Sequence, residues 1–435
     1  MAKKEINVGI IGFGIVGYGT VKILLENSKV ITKKTGFDVK IKRIADLDIT
    51  RDRGIKLPEG VLTTDAKAVI ADPGIDVVVE LIGGVHPAKE FILQAIKNKK
   101  HVVTANKALL AMEGTDIFRA AAENSVEVGF EAAVAGGIPI IKVVSEGLVA
   151  NRVIAIYGII NGTSNFILTK MTDEKVEFAD ALKEAQRLGY AEADPTFDIE
   201  GIDTAHKLTI LSSLAYGIPL SYDAVYKEGI TRITAKDIDF ATELGYRIKL
   251  LAIAKSSDGE IELRVHPTMV PYEYLISKVD GVFNAIYVEG DAVGSTLYYG
   301  RGAGDLPTGS AVVADIVDIG KNIISGGSTR MLPISVAGDA GDKLRRMEDI
   351  ESRYYFRFSV LDQPGVLSKI SGILGSNNIS IKSVIQKGRS AVASVPLVFL
   401  THVAREKDVQ KAIAEIDSLQ VVSEKALVIR VEGRA

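Results

Sequence analysis

A strand that runs into G-x-G-x-x-G and on into a helix leaves a chain few choices of fold. Here Ile6 to Ile11 reads as a buried strand, and Gly12, Gly14 and Gly17 form the loop. Ile15 to Asn27 then carries Val16, Thr20, Ile23 and Leu24 at helical spacing. The first glycine permits the tight turn, the second lets a pyrophosphate approach the backbone, and the third lets helix and strand pack closely. Free amides at the helix start suit an anion, so Gly12, Phe13, Gly14, Ile15, Val16 and Gly17 are candidate dinucleotide-binding residues. A glycine-rich turn that binds nothing is the plainer alternative.

The pattern that follows extends this fold. Val39–Ala45, Val77–Ile82, His101–Thr104 and Val126–Phe130 read as further strands, with helical stretches between them. Nearly continuous apolar strands separated by helices indicate a parallel sheet covered on both faces. The expected class is α/β, with a Rossmann-type doubly wound sheet in a dinucleotide-binding domain over 1–135. Lys97, Lys99 and Lys100 read as a solvated face at the end of a helix, where cations are favoured.

From Pro139 the pattern loosens into strand candidates Val153–Ile159, Glu260–Val265 and Phe283–Glu289. Phe178–Leu188 and Asp203–Ala215 are the clearest helices. An α+β substrate-binding and dimerisation domain is expected over 136–304. A helix at Ser310–Ile324 fits a return segment, 305–335, to the first domain. Gly326, Gly327 and Pro333 mark a loop, and 336–350 reads as a polar linker. The tail, 351–435, reads as βαββαβ: Phe356–Val360, Val366–Ser376, Ile381–Gln386, Pro396–His402, Val409–Ile416 and Ala426–Val431.

Composition narrows the chemistry. With 435 residues the chain is long enough for several domains, and a net charge of −3 argues against nucleic-acid or anionic-membrane partners. No apolar run is long enough to span a bilayer, and no signal peptide is evident, so a cytoplasmic protein is expected. There is no cysteine. That excludes disulfides, thiolate metal sites and any aldehyde oxidation that passes through a thiohemiacetal.

Two places carry the remaining chemistry. Asp46, near the end of the second strand, can take the ribose hydroxyls of NAD; Arg43, Arg51 and Arg53 are close enough in sequence to serve the 2′-phosphate of NADP. Both coenzymes stay open. The densest polar segment is Gly189-Tyr190-Ala191-Glu192-Ala193-Asp194-Pro195, followed by Asp198, Gly201, Asp203 and Lys207. Asp203 and Lys207, four apart, share a helix face. A solvated ion pair would explain them, but the other carboxylates close by suggest a lined pocket.

That segment resembles the signature of homoserine dehydrogenases, from Ala185 through Gly189, Tyr190, Ala191, Asp194-Pro195, Asp198-Ile199 and Gly201 to Asp203 and Lys207. The resemblance continues in Gly12–Gly17, Thr104-Ala105-Asn106-Lys107, Glu131–Pro139, Asn161–Asn165 and Gly300–Gly304, and covers essentially the whole chain. It implies reversible conversion of L-homoserine and L-aspartate 4-semialdehyde with NAD or NADP. Lys207 is then the proton donor and acceptor, and Asp203 its orienting partner. Glu192 takes the substrate ammonium, with Asp198 and Tyr190 in the same pocket. Lys107 faces nicotinamide and substrate, and Thr104 and Gly302 join the coenzyme site. A monovalent cation, sodium, is implied at Glu131 and the carbonyls of Val134, Gly136 and Ile138. Leu47-Asp48 stands where many members carry Arg-Asp, a departure that bears on NADP use.

In the tail, Asp362-Gln363-Pro364-Gly365-Val366-Leu367 resembles the D-x-P-G-x-L turn of ACT domains, which bind small effectors, often amino acids. Asp362, Gln363, Gly365 and Val366, with Asn378 and Ile379 from the facing loop, form the implied effector site, with threonine as the implied effector. The assembly expected is a homodimer or homotetramer. The tail's own apolar strands suggest a module that could be cut away near Asp349. Two other classes remain at this point: an effector-binding protein without catalysis, and a Rossmann oxidoreductase acting on a different amino acid.

Overall fold

A computed structural model of the chain describes residues 4–327, 334, 344–387 and 394–433. Its described residues fall into two compact units. Of the described residues, those within 1–162, 203–225 and 282–342 form the first, and those within 163–202, 226–281 and 343–435 form the second. These units cut across the boundaries drawn from sequence, because long-range packing rather than chain order defines them.

In the first unit, the strands form a six-stranded sheet among the described residues, in the order Leu62–Thr63, Asp38–Ala45, Glu5–Ile11, Val77–Glu80, His101–Thr104, Val128–Gly129. Every neighbouring pair is parallel. The order reverses direction between Glu5–Ile11 and Val77–Glu80, and ligands bind at such switch points, beyond the carboxyl ends of the strands. Val77, Val78 and Val79 are fully buried, as an uninterrupted apolar strand covered on both faces must be. The expected strand at Val126–Phe130 shrinks to two residues, because Glu131–Ala133 turns into a 3-10 helix.

The return segment is the helix Asp305–Ser325. Val312, Ile316 and Ile319 are buried with Ile6, Ile10 and Phe37. It approaches the helix Ile15–Glu26 so closely that a Cβ on Gly19 would lie 2.0 Å from the Asp305 carbonyl oxygen. Residues 328–333 and 335–343, including Pro333 and most of the expected linker, lie outside the described residues. A three-stranded antiparallel arrangement completes this unit: Val153–Ile159 pairs with Phe283–Gly290, which pairs with Gly294–Arg301. Lys100 departs from the expected solvated face. It is buried, and its ammonium donates to the carbonyls of Asp72 at 2.6 Å and Ile75 at 2.8 Å.

The second unit contains the expected tail: strand Glu351–Leu361, helix Val366–Ser376, strands Ile381–Gln386 and Ser394–Thr401, helix Glu406–Asp417 and strand Val422–Val431. It has its own core, built on Tyr354, Phe356, Phe358, Phe399, Ile370 and Ile416. Yet the tail is not a free-standing module. Val422–Val431 pairs in parallel with Glu260–Pro271 at Thr268↔Arg430 and Met269↔Val431. Glu260–Pro271 in turn pairs with Tyr246–Ser257 across the turn at Asp258-Gly259, whose two positive φ values suit a tight hairpin. The strand runs past the expected end at Val265 despite Pro267. On that edge the short strand Tyr226–Lys227 pairs only as far as Val265, and Val422–Val431 begins at Thr268. Pro267 therefore falls in a gap where no ladder donor is needed.

Buried charge ties the same elements together. Asp237, on the helix Ala235–Glu243, accepts Arg357 Nε at 2.6 Å and the Tyr355 hydroxyl at 3.1 Å, and completes its own helix's capping box with Thr234. Glu432 accepts Arg264 Nη2 at 2.7 Å and Lys255 Nζ at 2.8 Å. At the surface, Arg345, at the end of the linker, pairs with Glu260 at 2.8 Å. None of these pairs is visible as a sequence pattern, which explains why the tail reads as separable. No helix among the described residues is long and apolar enough to cross a membrane.

Glu432 generates a stability prediction. Burial alone would raise its pKa, but Lys255 and Arg264 outweigh burial and hold it below the ordinary value. Its stabilisation is therefore present above the unfolded value of about 4.3 and is lost as pH falls through the lower folded value. Glu432→Ala leaves Arg264, 1% exposed, without its nearest counter-charge. We expect a loss of about 3 kcal/mol by urea unfolding at neutral pH; an unchanged midpoint would show that the pair contributes nothing.

Candidate active site

The glycine loop has the shape its spacing predicts. Gly12 sits at φ +104°, and a Cβ there would lie 2.7 Å from the Leu81 carbonyl oxygen. A Cβ on Gly17 would lie 2.2 Å from the Gly12 oxygen, whereas one on Gly14 would meet nothing. The first and third glycines thus make contact with neighbouring backbone, and the second faces the open space a pyrophosphate needs. The helix Ile15–Glu26 has no side-chain cap and no acidic residue in its first turn, so nothing of its own competes for an anion. Phe13 is buried and offers its backbone, while Ile15 is exposed.

Asp46 stands against this loop. Its carboxylate accepts the Phe13 amide at 2.5 Å and the Asp48 amide at 2.9 Å. Arg53 pairs with it at 3.3 Å, donates to the Phe13 carbonyl at 2.8 Å and lies over the Phe13 ring. Of the three arginines considered for a 2′-phosphate, Arg53 is therefore at the loop. Arg43 points instead to Asp72, and Arg51 is exposed.

One carboxylate that sequence reasoning missed orders the far side of the loop. Glu80, fully buried at the end of its strand, accepts the amides of Ile82 at 2.9 Å and Gly83 at 3.1 Å, and the Thr104 hydroxyl at 2.6 Å. Thr104 accepts the Asn106 amide at 3.0 Å, and Asn106 caps the helix Lys107–Asn124 through the Leu109 amide at 3.2 Å. The chain from Glu80 to Asn106 thereby sets where Lys107 begins its helix. The available signal was a single acid closing an otherwise apolar run, Val77-Val78-Val79-Glu80.

Lys107, Asp203 and Lys207 come together. Asp203 Oδ2 accepts Lys207 Nζ at 2.7 Å and Asn161 Nδ2 at 2.9 Å, while Oδ1 lies 3.1 Å from Lys107 Nζ. Lys207 also donates to the Ile160 carbonyl at 2.7 Å. Asp203 and Lys207 are both buried, so the solvated helix pair is ruled out. Burial would raise the Asp203 pKa, but the charges of Lys207 and Lys107 and the hydrogen bonds drive it well below the usual carboxylate range. The site thus holds a fixed anion between two ammonium groups, which suits holding and moving a proton at a substrate oxygen.

A second polar pocket lies beside the turn 131–138. The buried Glu131 carboxylate accepts the amides of Ile141 at 2.8 Å and Lys142 at 3.1 Å, and burial lifts its pKa to about 7. Asp315 accepts the Glu131 amide at 2.8 Å and is likewise pushed up to about 7 by burial. Lys142 lies 2.5 Å from Asp318. Ala135 and Gly136 both have positive φ, and a Cβ on Gly136 would lie 2.5 Å from the Gly302 carbonyl oxygen. The Gly137 amide donates to the Arg301 carbonyl at 3.1 Å, so the Gly302 loop rests on this turn. The donors of the implied cation set, Glu131, Val134, Gly136 and Ile138, are all oxygens, which fits a hard cation in kind. The Ile138 carbonyl already accepts the Ile140 amide at 2.8 Å.

Tyr190, Glu192 and Asp198 belong to the second unit. The Tyr190 ring packs 5.0 Å from that of Phe166, and its carbonyl accepts the Thr163 hydroxyl at 2.7 Å. Glu192 is exposed, and Asp198, half-buried, has its carbonyl held by the Ser164 hydroxyl at 2.9 Å. In the tail, Gly365 at φ +89° caps the helix Val366–Ser376, and Asp362, Gln363 and Asn378 reach solvent. Val366 and Ile379 are core residues; at an effector site they can offer backbone but no side chain.

Comparison with known proteins identifies the family. The family model for the NAD-binding domain of homoserine dehydrogenase matches residues 12–131, that for homoserine dehydrogenase 139–317, and that for the ACT domain 354–420. A homoserine dehydrogenase of Neisseria gonorrhoeae is 48% identical over 432 residues, 99% of each chain. The crystal structure of a homoserine dehydrogenase from Thiobacillus denitrificans is similar, with a TM-score of 0.92 and 51% identity over 99% of this chain and 98% of that one. A hyperthermophilic archaeal homoserine dehydrogenase in complex with NADPH covers 75% of this chain and 100% of its own, at 27% identity and a TM-score of 0.63. On these family models and full-length relatives, the chain belongs to the homoserine dehydrogenase family of NAD(P)-dependent oxidoreductases and carries a C-terminal ACT domain.

Proposed function

We propose that Lys207 transfers the proton when L-homoserine and L-aspartate 4-semialdehyde are interconverted. One observation carries the reading: the buried Asp203 carboxylate holds the ammonium groups of Lys207 and Lys107 at 2.7 and 3.1 Å. In the oxidising direction Lys207, as the neutral amine, accepts the substrate hydroxyl proton; in the reducing direction its ammonium returns that proton to the aldehyde oxygen. The nicotinamide, when bound, accepts or supplies the hydride. Asp203 keeps Lys207 in place, and Lys107, more exposed, steadies the charge that develops on the oxygen.

Glu192 binds the substrate ammonium, with Tyr190 and Asp198 in the same pocket. Its exposure supports this role, since an exposed carboxylate has paid no desolvation cost before meeting its ligand. Coenzyme phosphates lie at Gly12 to Gly17, with Thr104 and Gly302 completing the site. Asp46 takes the ribose hydroxyls of NAD, while Arg53 beside it offers a guanidinium to the 2′-phosphate of NADP. Sodium binds at Glu131 and the carbonyls of Val134, Gly136 and Ile138, supported by the all-oxygen donor set. Threonine binds the tail at Asp362, Gln363, Gly365 and Asn378 and lowers activity. The enzyme works in the cytoplasm as a homodimer or homotetramer, with functional segments 1–135, 136–304 and 351–435.

Three measurements test these roles. Lys207→Ala is expected to lower kcat by about 10²–10⁴-fold with the coenzyme KM unchanged; near-normal turnover removes the assignment. Asp203→Asn takes away the anion that favours protonated lysines, so the lysine pKa values fall. The rising limb of kcat against pH for homoserine oxidation should therefore move to lower pH, by about one unit or more; an unmoved limb means that Asp203 does not set the proton acceptor. Asp362→Ala should raise the half-inhibitory concentration of threonine at least about tenfold, equivalent to a coupling loss of about 1.4 kcal/mol. A wild-type enzyme indifferent to threonine would end that assignment.

A further inference from the structure

One edge of the strand Glu260–Pro271 has two short partners, and a partly buried ion pair joins them. Tyr226–Lys227 pairs with Arg264 and Val265, and the tail strand Val422–Val431 pairs with Thr268 and Met269. Arg430 of the tail strand reaches back across the gap. Its Nη1 donates to Glu228 Oε2 at 2.7 Å, and its guanidinium lies 5.0 Å from the centre of the Tyr226 ring. The Tyr226 hydroxyl donates to the same Glu228 oxygen at 3.0 Å.

Stability of the tail alone does not explain this pair. Glu406 already accepts Arg430 Nε at 2.9 Å and Nη2 at 2.6 Å, in the two-pronged geometry that satisfies a guanidinium best. Burial would lower the Arg430 pKa, but the Glu406 hydrogen bonds and charge outweigh it and keep the group ionised. The remaining Nη1 is spent on a residue outside the tail.

Glu228 lies in a strap, 226–231, that presses on the segment carrying Asp198. The Glu228 amide donates to the Val265 carbonyl at 2.8 Å, and the Ile230 amide donates to the Ile199 carbonyl at 2.8 Å. Thr231 Oγ1 donates to Glu200 at 3.2 Å. A Cβ on Gly229 would lie 2.5 Å from the Ile199 carbonyl oxygen, so strap and turn meet backbone to backbone. Gly201, at φ +76°, would place a Cβ 3.0 Å from Val265. The path Arg430, Glu228, Ile230, Ile199, Asp198 is continuous, and every step is a hydrogen bond or a peptide link.

We propose that Glu228 is a positioning residue for substrate binding: its pair with Arg430 lets the tail sheet hold the strap 226–231 against the turn 196–201 and so sets the placement of Asp198 in the homoserine pocket. The proposal rests on the reading that Glu192 and Asp198 bind homoserine. It also gives the tail a physical route to substrate affinity, because any shift of the strand Val422–Val431 moves Arg430.

The test is steady-state homoserine oxidation by the full-length enzyme, with Glu228→Gln, Glu228→Asp and Glu192→Gln compared. Glu228→Gln keeps the shape and removes the charge. It should raise the homoserine KM about three- to tenfold, with kcat and the coenzyme KM within about twofold. Glu228→Asp, which keeps the charge, should recover most of the lost affinity. A loss spread equally over kcat and both KM values, or a homoserine KM unchanged in Glu228→Gln, overturns the positioning role. Glu192→Gln separates the two ideas: a raised homoserine KM there with none in Glu228→Gln rejects the clamp alone, and a normal KM in Glu192→Gln rejects the substrate reading beneath it.

Discussion

The centre of this enzyme depends on one buried carboxylate. Asp203 is 5% exposed and yet ionised. Removing a carboxylate from water costs several kcal/mol, and a single contact at an effective dielectric of about 20 returns roughly 5 kcal/mol. With one lysine the balance would be close; with two it is decided. Backbone geometry supplies the rest. Asp203 and Lys207 are one helical turn apart, and Lys107 is the first residue of a helix capped by Asn106. Two independent helix positions thus converge on one oxygen pair, leaving little freedom for any of the three groups.

Much of this was legible in the chain because it is written locally. The glycine loop, the apolar strands and the four-residue spacing of Asp203 and Lys207 each occupy a short window, and a period or a motif reports them. Even the different settings of Gly12, Gly14 and Gly17 show at the level of individual Cβ contacts. What escaped was long-range. Glu80 looks like the last residue of a strand, and only the fold brings Thr104 to it across a neighbouring strand. Lys100 looks like surface charge at a helix end, yet two carbonyls 28 and 25 residues away bury it. Val366 and Ile379 sit within an effector-type pattern, but strands and helices from the whole tail close over their side chains.

The tail is the clearest case. Its βαββαβ order could be read almost residue by residue, since each element has its own hydrophobic period. That it continues the sheet of Glu260–Pro271 could not be read, because two residue pairs of parallel ladder leave no mark on composition. The charges that seal the join are scattered over the sequence: Arg264 with Glu432, Asp237 with Arg357, Glu228 with Arg430. Taken singly, each resembles the ordinary charged residue of a solvent-facing strand or helix.

Charge is deployed in two distinct ways in this chain, and the difference follows function. Where geometry must not change, the charged group is buried and held by several partners: Arg430 by Glu406 and Glu228, Glu80 by two amides and a hydroxyl. A buried group of this kind is costly to move, since breaking one partner exposes an uncompensated charge. At the positions proposed to take ligands, the group stays in contact with water: Glu192 and Asp362 keep solvent access, and Gly14 has open space above its Cα. Lys107 stands between the two cases, with its side chain 39% exposed and one oxygen of Asp203 within reach. A residue in that position can be anchored by the protein at one contact while still meeting a substrate, which is the condition a group acting on a transient oxyanion has to satisfy.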